Sequence, residues 1–249
     1  MAGYAATMGL FFTKSSITFP IGELVEVDMH SHLVPAIDDG SQNMETSIRL
    51  IEGLVSIGYK KIITTPHIKV EFPNTRESIA APFNQLQSAL TEAGIQIPVS
   101  FASEYMTDQD FSPLVSANNL LKVSGDYLLM ETGFLSCPMN FEEDLFQVQR
   151  KGILPILAHP ERYHYINDLG DYEYFRERSM LFQVNILSFT GYYGDKPKQL
   201  AHKLLEAGMV DLLGTDLHNE KQLEGLKDFK VDQKIRKLLE KTAFLNKGL

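Results

Sequence analysis

Short apolar runs rich in Val, Ile and Leu alternate along the chain with longer segments whose apolar residues recur every three or four positions. The short runs read as buried parallel strands at Leu24–Met29, Lys61–Thr65, Ile97–Ala102, Asp126–Met130, Ile153–Ala158, Leu181–Ile186 and Met209–Gly214. Between the first two, Met44, Ile48, Ile51 and Val55 mark one face of a helix that Gly58 stops. Ile79, Phe83, Leu86 and Leu90 before Gly94, and Leu200, Leu204 and Leu205 before Gly208, mark two more. Asn140 with Glu143 reads as the capping-box start of a helix running to Gly152. This alternation builds βα units on a parallel sheet within an α/β fold. Two architectures share the pattern: a TIM-like barrel one unit short, and an open doubly wound sheet.

A chain of 249 residues, 44% of them hydrophobic, suffices for one full core. Lys and Arg total 23 against 32 Asp and Glu; a formal charge of -9 disfavours a broad grip on phosphate backbones, so nucleic acid is not the expected partner. The single cysteine, Cys137, excludes an intramolecular disulfide and a Cys-rich zinc site, and fits a reducing compartment such as the cytoplasm. The apolar patch Met8 to Phe12 follows no basic segment and is too short to span a bilayer. Residues 1–22 therefore read as a loose N-terminal extension and 23–249 as one domain, with no transmembrane segment.

In parallel α/β folds ligands collect just beyond the C-terminal ends of the strands. Those positions hold His30 and His32, then His67, Glu104, Glu131 and His159, then Asp216 with His218. Six of the seven expected strand ends thus offer a metal ligand, and only His164 and His202 among the histidines lie elsewhere. In Asp28-Met29-His30-Ser31-His32 an extended backbone turns residues i and i+2 to the same side, so both imidazoles reach one ion; Asp216-Leu217-His218 repeats the device. Asp38-Asp39-Gly40 lies in the loop after the first strand, where Gly permits a tight turn that lets an acid swing to the rim.

Carboxylates from Glu104, Glu131 and Asp216 crowded into a partly dry cleft repel one another, and cations resolve that conflict. Imidazole and carboxylate donors without thiolate suit Mn, Fe or Zn, whereas Mg or Ca prefers mainly oxygen. The donors exceed what one ion needs, so two or three ions are expected. Other catalytic designs lack their parts: the residue six beyond Cys137 is Glu143 rather than the arginine of a thiolate phosphatase, and no GxxxxGK[ST], GxGxxG or GxSxG is present.

VDMHSHLVPAIDDGS, TTPHI, the Glu104 and Glu131 strand ends, AHPERY and GTDLHN, spread over residues 25–245, together resemble the polymerase and histidinol phosphatase (PHP) superfamily. Within it they resemble the bacterial capsular and exopolysaccharide branch of manganese-dependent protein-tyrosine phosphatases. The resemblance implies a single-domain distorted (β/α)7 barrel, a trinuclear site usually served by manganese, and hydrolysis of phosphotyrosine on a partner tyrosine autokinase. It implies that His30, His32, Glu104 and Asp216 hold the first ion, with Glu104 bridging to a second that Glu131 and His159 complete. Asp39, His67 and His218 then hold the third, and Arg162 in the PERY segment becomes the anion-stabilising arginine, catalytic together with Asp216.

Two departures from the branch pattern stand out. Ile68 occupies the place of a second histidine after the one matching His67, and Lys221 is the only cation just after DLHN, where relatives often carry arginine. Two other readings share these residues: a PHP phosphoesterase for a small metabolite such as histidinol phosphate, and a non-catalytic, metal-stabilised scaffold that docks on a kinase.

Overall fold

Proline has no N–H to give a ladder, and the second expected strand breaks at Pro66. In the computed structural model, which describes residues 17–249, the strands are β1 Ile17–Thr18, β2 Val27–Asp28, β3 Lys61–Thr64, β4 His67–Ile68, β5 Val99–Phe101, β6 Glu104–Met106, β7 Tyr127–Glu131, β8 Leu154–Ala158, β9 Leu181–Asn185, β10 Leu212–Gly214 and β11 Lys230–Val231. Beyond Pro66 the second strand changes partner: β3 pairs with β2 and β5, while β4 pairs with β6. Counting β3 with β4 and β5 with β6, seven strand positions follow one another in parallel through β7, β8 and β9 to β10. A parallel bridge between Ser31 and Leu217 closes the ring, with Asp216 N–H on His30 C=O at 2.8 Å and His32 N–H on Leu217 C=O at 2.9 Å. The fold is the TIM-like α/β barrel, and the open-sheet alternative falls.

The seam has a second clasp nearer the strand starts. Asn246, fully buried, accepts Leu213 N–H at 3.0 Å and donates to Val27 C=O at 2.9 Å and Leu213 C=O at 2.8 Å. Asp28 accepts from the Thr215 N–H and hydroxyl at 3.1 and 3.0 Å. Val27, Met29, Ile63, Ala102, Leu129, Ile156, Ala158 and Leu212 form one buried cluster, and because they come from strands all round the ring they fill its interior. Period-two alternation carries that inner face up to the rim: Leu129 is followed by Glu131 on the same side.

Several local expectations change. Of the first expected strand only Val27–Asp28 is strand; Leu24 and Val25 end the helix Ile21–Val25, and Glu26 at φ 62° turns the chain between them. Helix Met44–Ser56 buries Ser47, Leu50, Ile51, Gly53 and Leu54, and Val55 is 40% exposed. Its inner face is rotated because Leu223 packs onto Gly53, where a Cβ would lie 2.3 Å from Leu223 Cδ2. Helix Arg76–Glu92 buries Ile79, Phe83, Leu86 and Leu90, the expected stripe. At Phe141–Arg150 the capping box does not form: the Asn140 amide donates to Asp144 instead. The ordered domain also reaches back past residue 23, since β1 pairs with β11 and both Phe19 and Ile21 are buried in the main core. Residues 1–16, with the Met8 to Phe12 patch, lie outside the described residues. Among the described residues no helix is long and apolar enough to cross a membrane.

Candidate metal centre

The barrel rim gathers the strand-end residues into one cleft of about 290 Å³, lined by Asp39, His67, Glu104, Glu131, His159, Asp216 and His218 together with Lys69, Phe134, Arg162, Asn219 and Gln222. A larger groove outside the barrel, about 670 Å³ and bounded by Arg49, Glu52, Glu220 and Lys227, contains no histidine.

Fully buried against Glu104 and Asp216 of the cleft lining, the His30 and His32 Nε2 atoms lie 3.4 Å apart. Glu104 Oε2 is 3.2 and 3.4 Å from them, and Asp216 Oδ1 is 3.4 and 3.6 Å from them. Donors about 2.1 Å from a shared ion sit about 3.0–3.4 Å from their neighbours, so these separations match the edges of a coordination shell. The far nitrogen of each ring is already engaged: His30 Nδ1–H donates to Gln183 Oε1 at 2.7 Å and His32 Nδ1–H to Asp38 Oδ2 at 2.8 Å. His218 Nδ1–H likewise donates to the Asp216 carbonyl at 2.8 Å. Such outer contacts select the tautomer whose Nε2 lone pair faces the cleft.

Two further donor groups overlap the first. His67 Nδ1 lies 3.1 Å from both Glu104 Oε2 and Glu131 Oε1, and Asp39 Oδ1 is 3.4 Å from His67 Nε2 and 3.5 Å from His218 Nε2. His32 joins Asp39, His67 and His218 in one group of donor atoms. His159 Nε2 lies 3.0 Å from Glu104 Oε1 and 3.8 Å from Glu131 Oε2. His32 and His67 thus stand between groups, whereas the family resemblance gives each imidazole a single ion.

Four buried atoms here, His67 Nδ1, Glu104 Oε2, Glu131 Oε1 and His159 Nδ1, have no hydrogen-bond partner. Buried polar atoms without partners are costly, and lone pairs that converge without protons between them fit cations. Burial alone would lower the His30 pKa, but the Glu104 and Asp216 carboxylates outweigh it and lift it to about 9. Burial pushes Glu104 up, yet His30 and His67 hold it well below the usual range, and Asp216 is lowered in the same way by His30, His218 and Arg162. The carboxylates therefore stay ionised, and the positive charge that balances them is supplied by protons on the rings or by metal. The donor set fits divalent ions that accept nitrogen and oxygen.

Strain accompanies the cluster. His159 and Asp216 sit at φ 33° and 51°, in the left-handed region that costs about 1–2 kcal/mol for a residue with a Cβ. Pro160 and the short turn Pro160–Arg162 follow His159, and the Asp216 N–H is held by His30 C=O, so neighbouring contacts impose both conformations.

Arg162 Nη1 donates to Asp216 Oδ2 at 2.6 Å, and its guanidinium lies between the Phe134 ring at 5.0 Å and the Tyr193 ring at 4.4 Å. Tyr193 is committed to Arg162 and Gln222. Asp38 and Asp39 divide their work: Asp38 is buried, fixing His32 and accepting His67 N–H, and Asp39 reaches the rim. Ile68 packs into a satellite core, and Lys221 lies near Tyr192 rather than in the cleft. Sequence reasoning missed Lys69, whose Nζ is 3.9 Å from Glu131 Oε1; its place two residues after His67 on extended backbone was the available signal. It also missed the buried Glu161 and the amides Gln183 and Asn185, whose alternation along the expected strand Leu181–Ile186 was the available signal.

A (β/α)7 barrel whose rim carries overlapping imidazole and carboxylate donor groups around a cleft defines a candidate metal-binding domain. The chain belongs to the CpsB/CapC family of capsular polysaccharide synthesis, whose model matches residues 26–241. It is 28% identical over 198 residues, 78% of each chain, to the tyrosine-protein phosphatase YwqE of Bacillus subtilis (strain 168). It is 25% identical over 205 residues to the tyrosine-protein phosphatase CpsB of Streptococcus pneumoniae, covering 78% of this chain and 83% of the relative. Crystal structures of YwqE from Bacillus subtilis and CpsB from Streptococcus pneumoniae, described as unique metal-dependent tyrosine phosphatases, match with a TM-score of 0.75 at 28% identity over 87% of each chain.

Proposed function

We propose that this chain is a metal-dependent protein-tyrosine phosphatase acting on a phosphotyrosine protein, a tyrosine autokinase of capsule or exopolysaccharide synthesis, with manganese as its working ion. The observation that carries the reading is the convergence of imidazole nitrogens and carboxylate oxygens within 3.1–3.4 Å of one another beside a guanidinium held by Asp216. The named activities of the matched relatives support the substrate class.

In this reading His30, His32, Glu104 and Asp216 hold one ion. Glu131 and His159 with Glu104 hold a second, and Asp39, His67 and His218 a third. Bound divalent ions supply Lewis acidity at phosphorus oxygens and bring a water's pKa near 7. Arg162 neutralises charge developing on the phosphoryl group, and its clamp between Phe134 and Tyr193 leaves little reorganisation to be done during reaction. Asp216 serves both ends, ligating through Oδ1 and orienting Arg162 through Oδ2. A phenol leaving group with a pKa of about 10 needs less protonation help than an aliphatic alcohol, which suits a cleft whose acids are held ionised.

Metal analysis of the purified protein, coupled to turnover of a phosphotyrosyl peptide after chelation and add-back of Mn, Zn, Fe and Mg, tests the reading. Restoration by Mn above the other ions supports it, and turnover unaffected by chelation refutes it. Histidinol phosphate, assayed alongside, has to be the poorer substrate.

A further inference from the structure

β9 ends in no metal ligand, yet it enters the cleft wall between two strands that do. Its inward residues, Gln183 and Asn185, are fully buried amides. Asn185 Nδ2 donates to Asp216 Oδ2 at 2.7 Å, Gln183 Nε2 donates to Asn185 Oδ1 at 2.9 Å, and Gln183 Oε1 accepts His30 Nδ1–H at 2.7 Å. The geometry points to a one-way amide relay in which Gln183 and Asn185 act as positioning residues, locking His30 and Asp216 in their metal-binding orientation.

The direction of the chain is forced from one end. An ionised carboxylate only accepts, so Asn185 must present its NH₂ to Asp216 and its carbonyl to Gln183. Gln183 must then present NH₂ to Asn185 and its carbonyl to His30, which has to carry its proton on Nδ1. That leaves the Nε2 lone pair facing Glu104 and Asp216. At the other end Asn185 and Arg162 both donate to Oδ2, so Asp216 turns Oδ1 toward the imidazoles. Flipping either amide would set carbonyl against carboxylate or NH₂ against N–H.

Surrounding structure is built to hold the relay. A Cβ on Gly214 would lie 2.6 Å from Gln183 Nε2 and 2.8 Å from His30 Cβ, so only glycine leaves room for the Gln183 side chain along β10. Buried Glu161 accepts the Asn185 N–H at 3.0 Å and the Ser188 hydroxyl at 2.6 Å, fastening the end of β9. The two amides also tie the first strand of the barrel to the last by way of β9, whose contact with His30 spans 153 residues of sequence.

The relay rests on the metal-centre reading, and the test separates the two. Full-length protein, stripped by chelation, is titrated with Mn²⁺ by calorimetry as wild type, Gln183→Met, Asn185→Leu and the double variant, with circular dichroism verifying folding. Each single variant should weaken the tightest Mn²⁺ site about 10–100-fold, the usual loss for an outer-shell partner. The double variant should lose no more than about threefold beyond the worse single, because one break already disconnects the chain. Gln183→Glu, which keeps the acceptor for His30 but cannot donate to Asn185, should weaken Mn²⁺ binding as Gln183→Met does.

Wild type that binds no Mn²⁺ overturns the metal reading itself. Wild type that binds, with Gln183→Met and Asn185→Leu within threefold of it, overturns only the relay, as does a double variant equal to the product of the singles. Should a variant not fold, ¹⁵N shifts of the wild-type His30 ring decide: a proton on Nδ1 supports the relay, and a proton on Nε2 alone ends it.

Discussion

Replacing Asn246 by alanine removes three hydrogen bonds at one point of the barrel seam, to Leu213 N–H, Leu213 C=O and Val27 C=O. All three backbone groups lie in residues that are buried or nearly so, with Leu213 1% and Val27 6% exposed. Each orphaned buried group costs about 1–3 kcal/mol, and partial relaxation brings the sum to about 4 kcal/mol. Against a total stability of about 5–15 kcal/mol that is a large share. A domain of this size loses about 2–4 °C per kcal/mol, so the melting midpoint should fall by about 8–16 °C. Urea unfolding followed by circular dichroism measures the change, with Asn167→Ala as control. The exposed Asn167 amide donates to Tyr165 C=O and accepts from Lys196 Nζ, and loss of both should stay within about 0.5 kcal/mol. Asn246→Asp keeps the acceptor for Leu213 N–H but sets carboxylate against two carbonyls, so it should fall at least as far. If Asn246→Ala costs less than about 1 kcal/mol, the seam is held by other contacts and the argument fails.

Arg162→Ala should lower kcat on a phosphotyrosyl peptide at least about 10²-fold, the low end for a transition-state donor, with metal content little changed because Asn185 still holds Asp216 Oδ2; near-normal turnover would refute the role. His30→Ala or Asp216→Ala should lose metal and activity together, and a fully active, metal-poor variant defeats the ligand assignment. Burial pushes the Cys137 thiol up from 9.0 to about 11, so its thiolate is scarce at neutral pH. Alkylation at pH 8 should run about 100-fold slower than for a free thiol and climb about tenfold per pH unit until the thiol ionises; a rate equal to that of a free cysteine peptide would show the thiol to be unperturbed.

The convergence of strand-end donors at one rim was legible because local rules place them. His30 and His32 share a side through period two, and Glu131 continues the inward face that Leu129 begins. Parallel βα architecture then assigns all such ends to one rim. Local rules failed where a distant partner intervened. Leu223 turns the helix Met44–Ser56, and β11 captures β1 and so orders residues expected to be loose. Two adjacent aspartates, alike in sequence, separate into a buried support and a rim donor because the His32 ring and the His67 N–H both claim Asp38 Oδ2.

By itself the sequence determined which imidazoles and carboxylates converge at the rim and on what class of scaffold, since residue type and spacing are properties of short segments. Only the tertiary structure decided what holds those side chains still. Gln183, Asn185 and Asn246 act on groups brought to them by the closing of the ring, across 153 residues for His30 and 219 for Val27. A neutral amide leaves no periodic or compositional trace of such a partner, and its hydrogen bonds acquire direction only when the groups at both ends are in place.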